Sequence, residues 1–209
     1  MLSSDAVPPV TSVTRILYLA RHGETDWNAE GRWQGHTDIP LNDAGRRQAR
    51  ELAEVLRPRG VRLALSSDLS RARETAQIVA QTLGVPLGHA DPDLRERRFG
   101  VFEGLTRQQC EQQQAEAWQA WLKERRPPVG GEGKDAFAER VVAGAVRAIE
   151  RLGAAEASEG AAALVVTHGG ALRAFVEAVT GAMPPFVENG QVWRVSYASR
   201  TGFVDARPV

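Results

Sequence analysis

The sequence predicts an α/β fold: a three-layer sandwich with a mostly parallel sheet, helices on both faces and a small helical cap. Three observations carry this expectation. Short apolar blocks at RILYLA (15–20), RLALSS (62–67) and AAALVVTH (161–168) have the length and composition of fully buried strands. Each is followed by helical periodicity, and apolar strands alternating with helices belong to sheets covered on both sides. A polar, glutamine-rich stretch with Trp118 and Trp121 (106–124) interrupts this alternation and reads as one or two surface helices.

The elements follow in chain order. Residues 1–14 carry Pro8-Pro9 and read as a flexible tail; with no basic start and no apolar centre they do not resemble a signal peptide. After the first strand, Asn42 or Asp43 caps a helix whose Ala49, Leu52, Ala53 and Leu56 share one face, and Pro58 ends it. After the second strand, Asp68 or Ser70 starts a helix that stops at Gly84, ahead of Pro86. Prolines and glycines make 125–133 a loop. Asp135 then caps a helix to about Leu152, with Phe137, Val141, Val142, Ala145, Val146 and Ile149 on one face. The third strand leads into the helix GALRAFVEAVTG, and QVWRVSYAS and GFVDAR close the chain as edge strands. The strands on either side of the 125–133 loop have the same character, so 15–209 is expected to be a single domain.

Composition narrows the function classes. The chain has 209 residues, 43% hydrophobic and 25% charged, enough for a sizeable core. Lys+Arg and Asp+Glu are both 26, so net charge gives no argument for nucleic acid or an acidic membrane surface as partner. No apolar run approaches the roughly 18 residues of a membrane span. One cysteine, Cys110, excludes an internal disulfide, and reducing cytoplasm is the default compartment. Four histidines (His22, His36, His89, His168) lack metal-ligand spacing, and no phosphate-binding or dinucleotide loop follows a strand, so neither metal nor cofactor is expected.

The chemistry gathers at the strand ends. In open α/β sheets, ligands sit beyond the carboxyl ends of the strands. The first strand delivers Arg21-His22-Gly23, the third Thr167-His168-Gly169-Gly170, and the second Ser66-Ser67 with Arg71 one turn into the next helix. Parallel packing brings two histidines and two arginines to one edge, although His22 and His168 are 146 positions apart (168 − 22). Guanidinium forks match phosphate oxygens. The free N–H groups at the start of the Gly169 helix add an anion site, and the glycines admit close backbone approach.

Four ordered motifs carry a resemblance. LYLARHGETDWN, continued by GRWQGHTDIPLNDAGRRQA, resembles the signature of the histidine phosphatase superfamily, the phosphoglycerate-mutase-like fold. SSDLSRARETAQ, LRERRFGVFEG and VVTHGGALRA are similar to its second arginine, acid and second histidine motifs. The resemblance covers about residues 15–200. It implies that His22 is a nucleophile taking up the phosphoryl group. It implies that Arg21, Arg71, His168, Asn28 and the Gly169 backbone bind phosphate oxygens, and that Glu96 is the general acid. Glu24, Glu96 and Glu103 compete for that last role on residue type alone; the resemblance favours Glu96. An acid must start protonated near neutral pH, and Arg95, Arg97 and Arg98 oppose that if close.

The region 105–133 is short and rich in Gln, Glu and Trp, which favours a phosphatase of the small bacterial type over a mutase. The implied partner is a small phosphorylated metabolite, and a homodimer stays open. A non-catalytic phospho-ligand binder on the same fold is opposed by the intact site residues. Trp33, Gln34, Gly35, Phe102 and Glu103 are candidates for the specificity pocket. Trp118 and Trp121 form either an apolar lid or the core of the cap. Glu132 reads as a loop or helix-start residue.

Overall fold

A computed structural model describes residues 14–152, 161–199 and 201–209. The elements are β1 (Thr14–Arg21), α1 (Asp26–Ala29), α2 (Asp43–Leu56), β2 (Val61–Ser66), α3 (Ser70–Leu83), α4 (Arg107–Gln113) and α5 (Ala115–Glu124). They continue with α6 (Lys134–Glu150), β3 (Ala162–Thr167), α7 (Gly169–Thr180), β4 (Val192–Ala198) and β5 (Gly202–Pro208). The expected tail lies outside the described residues apart from Thr14, which opens β1.

The sheet has the order β2-β3-β1-β4-β5. β3 pairs in parallel with both β1 and β2, so Arg21 lies beside Thr167 and Ser66 beside Val166. The ladder continues one residue further: the His22 N–H donates to the Thr167 carbonyl and the Ser67 N–H to the Val166 carbonyl, both at 2.9 Å. This register brings the three motif-bearing strand ends together.

Side chains alternate across a strand, and helices receive both sets. Tyr18, Ala20, Leu164 and Val166 pack against Leu52 and Leu56 of α2 and Ala76 and Val79 of α3. Leu17, Leu19, Val165 and Val195 pack against Val141, Ala145 and Ile149 of α6 and Leu172 and Phe175 of α7. Two covered faces explain the unbroken apolar runs; every residue of β3 is buried. A third cluster, Phe102, Cys110 and Trp118 with Trp33, Phe99 and Trp121 at its margin, is the core of the cap built on α4 and α5.

Two expectations, for β4 and for the cap of α6, are corrected; two alternatives are decided, α3 starting at Ser70 and α2 being capped by Asn42. β4 is no edge strand: it lies antiparallel between β1 and β5, and of the last two strands β5 is the edge, with β2 at the opposite edge. α3 is not capped by Asp68 or by a side chain of its own terminus. Leu69 holds the cap position, and Asp38 accepts from both the N–H and the hydroxyl of Ser70 at 2.8 Å. A carboxylate from a remote loop thus replaces the local cap. α6 starts at Lys134 after Gly133, so Asp135 sits in the first turn, where its charge complements the helix terminus, and does not cap. α2 is capped by Asn42, whose Oδ1 accepts from the Gly45 N–H at 2.8 Å, and not by Asp43.

The start of α2 lies directly on the loop after β1. A Cβ on Gly23 would overlap the carbonyl of Gly45, and a Cβ on Gly45 would overlap the backbone of Glu24. Main-chain atoms cannot swing aside. Gly45→Ala should therefore lower stability by about 1–3 kcal/mol, the usual cost of overpacking. Urea denaturation checks this; an unchanged midpoint would show that the two backbones can separate freely.

Candidate active site

The first strand runs straight into the site. His22 Nδ1 lies 2.6 Å from the carbonyl of its neighbour Gly23. A carbonyl only accepts, so Nδ1 carries the proton and Nε2 keeps its lone pair. The Gly23 N–H donates to Thr75 Oγ1 at 3.1 Å, and that hydroxyl donates to the Arg71 carbonyl at 2.7 Å. The His168 ring stands edge-on to His22 with centroids 5.0 Å apart. Its Nε2 lies 3.0 Å from Ser67 Oγ, and its buried Nδ1 has no partner among the described residues.

Two buried guanidiniums flank this pair. Arg21 donates from Nη1 to the Val187 carbonyl at 2.7 Å. Arg71, with no exposed surface at all, donates from Nη1 to Thr37 O (2.9 Å) and from Nη2 to Gly35 O (2.8 Å). Carbonyls therefore fix both groups, while each Nε is buried without a partner, and neither arginine makes an ion pair among the described residues. An enclosed cation without a counter-ion is costly, so the site is built for an anion. Burial brings Arg71 down to about 10 and lowers Arg21, yet both remain cationic at neutral pH. Burial, then the charges of Arg71 and Arg21, holds His22 well below the ordinary histidine value, and burial with Arg71 does the same to His168. Both rings are neutral.

Glu96 reaches the same cavity from the segment before the cap. One carboxylate oxygen accepts from the Arg97 N–H and the other from the Gly170 N–H, both at 2.8 Å. A Cβ on Gly170 would collide with that carboxylate, which gives the second glycine of THGG a role that sequence reasoning did not assign. Of the adjacent arginines, Arg95 and Arg98 do not line the cavity, while Arg97 does and feels the charge of Glu96. Arg95 pairs with Asp68, Arg98 reaches His36, and Arg97 donates to the Glu132 carbonyl while lying over the Trp121 ring. Glu24 also lines the cavity, with one oxygen taken by the Asn42 amide at 2.9 Å.

Asn28 uses its Oδ1 to accept from Thr25 N (3.2 Å), Thr25 Oγ1 (3.1 Å) and Asn189 Nδ2 (3.2 Å), leaving its amide N–H groups for a ligand. Asn189, unforeseen in the sequence, also donates to the His22 carbonyl at 3.0 Å. The Asn-Gly pair in its loop is a turn signal, and nothing local marks it as a site residue.

The cavity has a volume of about 1140 Å³ and includes Gly169, Trp33, Gln34 and Gly35 in its walls. Phe102 and Glu103 are not among its lining residues, a correction with a clear cause. Phe102 is fully buried in the cap core. Glu103 braces its own loop, accepting from the N–H groups of His36, Thr37 and Phe99 and from the Thr37 hydroxyl. Against its burial, those donors hold its carboxyl below the ordinary value, so it is ill suited to donate a proton. The two cap tryptophans divide the roles considered for them: Trp118 is buried in the cap core and Trp121 lines the cavity.

Two neutral buried histidines couple stability to pH. Below about 6.5 the unfolded chain protonates them while the folded chain does not, so the unfolded state binds more protons and stability rises with pH. Their contribution is complete above the unfolded value and is lost as pH falls towards the depressed folded one. Between pH 6 and 5 each should contribute about 1 kcal/mol per pH unit. His168→Asn should reduce the slope by one such step in urea titrations; an unchanged slope would mean that the ring is already protonated in the folded protein.

Comparison with known proteins agrees with this geometry. The sequence profile of the histidine phosphatase superfamily (branch 1) matches residues 17–205. The chain is 42% identical over 165 residues to phosphoglycerate mutase-like protein 4 of Arabidopsis thaliana, covering 77% of this chain and 69% of that protein. It is 39% identical over 186 residues to a metal-independent phosphoserine phosphatase of the same plant, covering 86% and 74%. Among solved structures, a mycobacterial glucosyl-3-phosphoglycerate phosphatase in complex with VO3 superposes with a TM-score of 0.77 at 32% identity, covering 93% of this chain and 97% of that one. With its motifs, sheet order and paired histidines all in register, the chain belongs to the histidine phosphatase superfamily.

Proposed function

We propose that this protein is a metal-independent phosphomonoesterase that hydrolyses a small phosphorylated metabolite through a phosphohistidine on His22. One observation carries the reading. The Gly23 carbonyl fixes the proton on His22 Nδ1, so the unprotonated Nε2 stands beside two buried guanidiniums that make no ion pair among the described residues. A phosphoryl group supplies that anion and an electrophilic centre at once.

The steps balance as follows. His22 Nε2 attacks phosphorus; a P–N bond forms and the P–O ester bond breaks. Protonated Glu96 transfers its proton to the departing oxygen, releasing an alcohol. The Glu96 carboxylate then takes a proton from water, the water oxygen attacks phosphorus, and the P–N bond breaks. Inorganic phosphate leaves, His22 is again neutral and Glu96 again protonated. Arg21, Arg71, His168 and the Asn28 amide hold the equatorial oxygens during both transfers, the electrostatic part of the catalysis. The cavity is far larger than a phosphate, and Trp121, Met183 and Phe186 give it apolar wall for the remainder of the substrate. Among the described residues no group of three His, Cys, Asp or Glu side chains has the arrangement to hold a metal ion.

A mutase reading draws on the relative named phosphoglycerate mutase-like. The short cap argues for water as the final acceptor. Turnover of 3-phosphoglycerate with a bisphosphoglycerate primer, faster than phosphate release, would favour the mutase.

His22→Ala should abolish turnover of every phosphate ester and the acid-labile labelling of the protein by labelled substrate. Activity should survive exhaustive chelation. Substantial turnover in His22→Ala, or loss with chelator that one divalent ion restores, would overturn the covalent, metal-independent scheme. The acid is tested separately. Glu96→Gln should slow phosphohistidine formation from an alkyl phosphate on the order of 10²–10⁴-fold. The loss should be much smaller with p-nitrophenyl phosphate, whose phenolate leaves without protonation. Equal losses in rapid-quench experiments would remove Glu96 from that role.

A further inference from the structure

We infer that Arg140, on α6, is a positioning residue for Glu96: its guanidinium clamps the backbone that carries the proton donor. This rests on the reading of Glu96 as the general acid.

The segment around Glu96 has little structure of its own. Beyond the short 3-10 turn at Pro92–Leu94, residues 95–98 belong to no helix or strand, so their carbonyls need partners from elsewhere. Arg140 supplies them. Nη1 donates to the carbonyls of Asp93 and Arg95, and Nη2 to that of Glu96, all at 2.9 Å. Nε and Nη2 also fork onto the Glu132 carboxylate at 2.7 Å each. All five guanidinium donors are thereby used. His36 Nε2 lies 3.0 Å from the Glu96 carbonyl as well.

Glu132 closes the clamp from the far side. Its N–H donates to the Arg98 carbonyl at 2.9 Å, and its carbonyl accepts from Arg97 Nε at 2.8 Å. The backbone on both sides of Glu96 is thus tied to one ion pair whose members are each less than a fifth exposed. Arg140 is not among the residues lining the cavity. It therefore does not touch a ligand in the cavity; its charge also bears on His168, and the selectivity for the leaving group separates that influence from the aiming of Glu96. Lysine, with three donors on one nitrogen, cannot span three carbonyls and a carboxylate.

A misaimed donor hurts only where protonation is needed. Arg140→Lys should slow phosphohistidine formation from an alkyl phosphate about 10–100-fold, the usual cost of a displacement near 1 Å. With p-nitrophenyl phosphate the loss should stay within about threefold, and vanadate should still inhibit. Adding Arg140→Lys to Glu96→Gln should cost nothing further, because the two act on one proton transfer. Glu132→Gln, which keeps the shape of the anchor, should give the same selectivity in milder form and serves if Arg140→Lys does not fold. If Glu96→Gln is leaving-group selective but the clamp variants slow both esters equally, or add fully to Glu96→Gln, the positioning role is wrong and the clamp serves stability alone. If Glu96→Gln itself shows no selectivity, the acid assignment fails first and the clamp inference falls with it.

Discussion

Two buried guanidiniums that form no ion pair among the described residues are the constraint from which the rest of this site follows. Arg21 and Arg71 lose hydration and recover part of it from carbonyls: Val187 for one, Gly35 and Thr37 for the other. Those carbonyls belong to loops, so the loops after α1 and α7 must return to the sheet edge to keep the cations enclosed. Burial first, and then the field of these two cations, holds His22 and His168 well below the ordinary histidine value. One electrostatic arrangement thereby readies the histidine and selects for an anionic ligand.

The acid side of the site is organised by a different principle. Glu96 is held by backbone N–H groups, and its own backbone by side chains from α6 and the preceding loop. α6 packs by its apolar face on the sheet while Arg140 and Arg147 reach the 91–96 segment. A single helix thus joins the hydrophobic core to the segment that carries Glu96.

Much of this was legible before any coordinates. Arg21-His22-Gly23 and Thr167-His168-Gly169-Gly170 end apolar runs, and a parallel register brings such ends together. The misreadings share a cause: sequence shows which residues lie near a site but not which way they face. Phe102 and Glu103 neighbour the acid motif, yet one turns into the cap core and the other into its own loop. Trp118 and Trp121 are three apart on one helix, and burial alone separates them. Asn189 and Asp38 act through partners far away in the chain, as Glu132 does through Arg97, and no local pattern announces such a bond.

The sheet order has a consequence for how the molecule is made. β1 is the first element of the chain, but both strands that flank it, β3 and β4, come from the last quarter. β1 and β2 do not pair with each other; β3 must enter between them. During synthesis some 140 residues therefore emerge before the central strand has a neighbour. The α2 and α3 pair can form early and wait with one apolar face uncovered. Closure of the sheet thus needs pairing between segments far apart in the chain, the kind of contact whose loop-closure cost slows folding. The cavity of the candidate site, which draws on the ends of both β1 and β3, comes together only at that step.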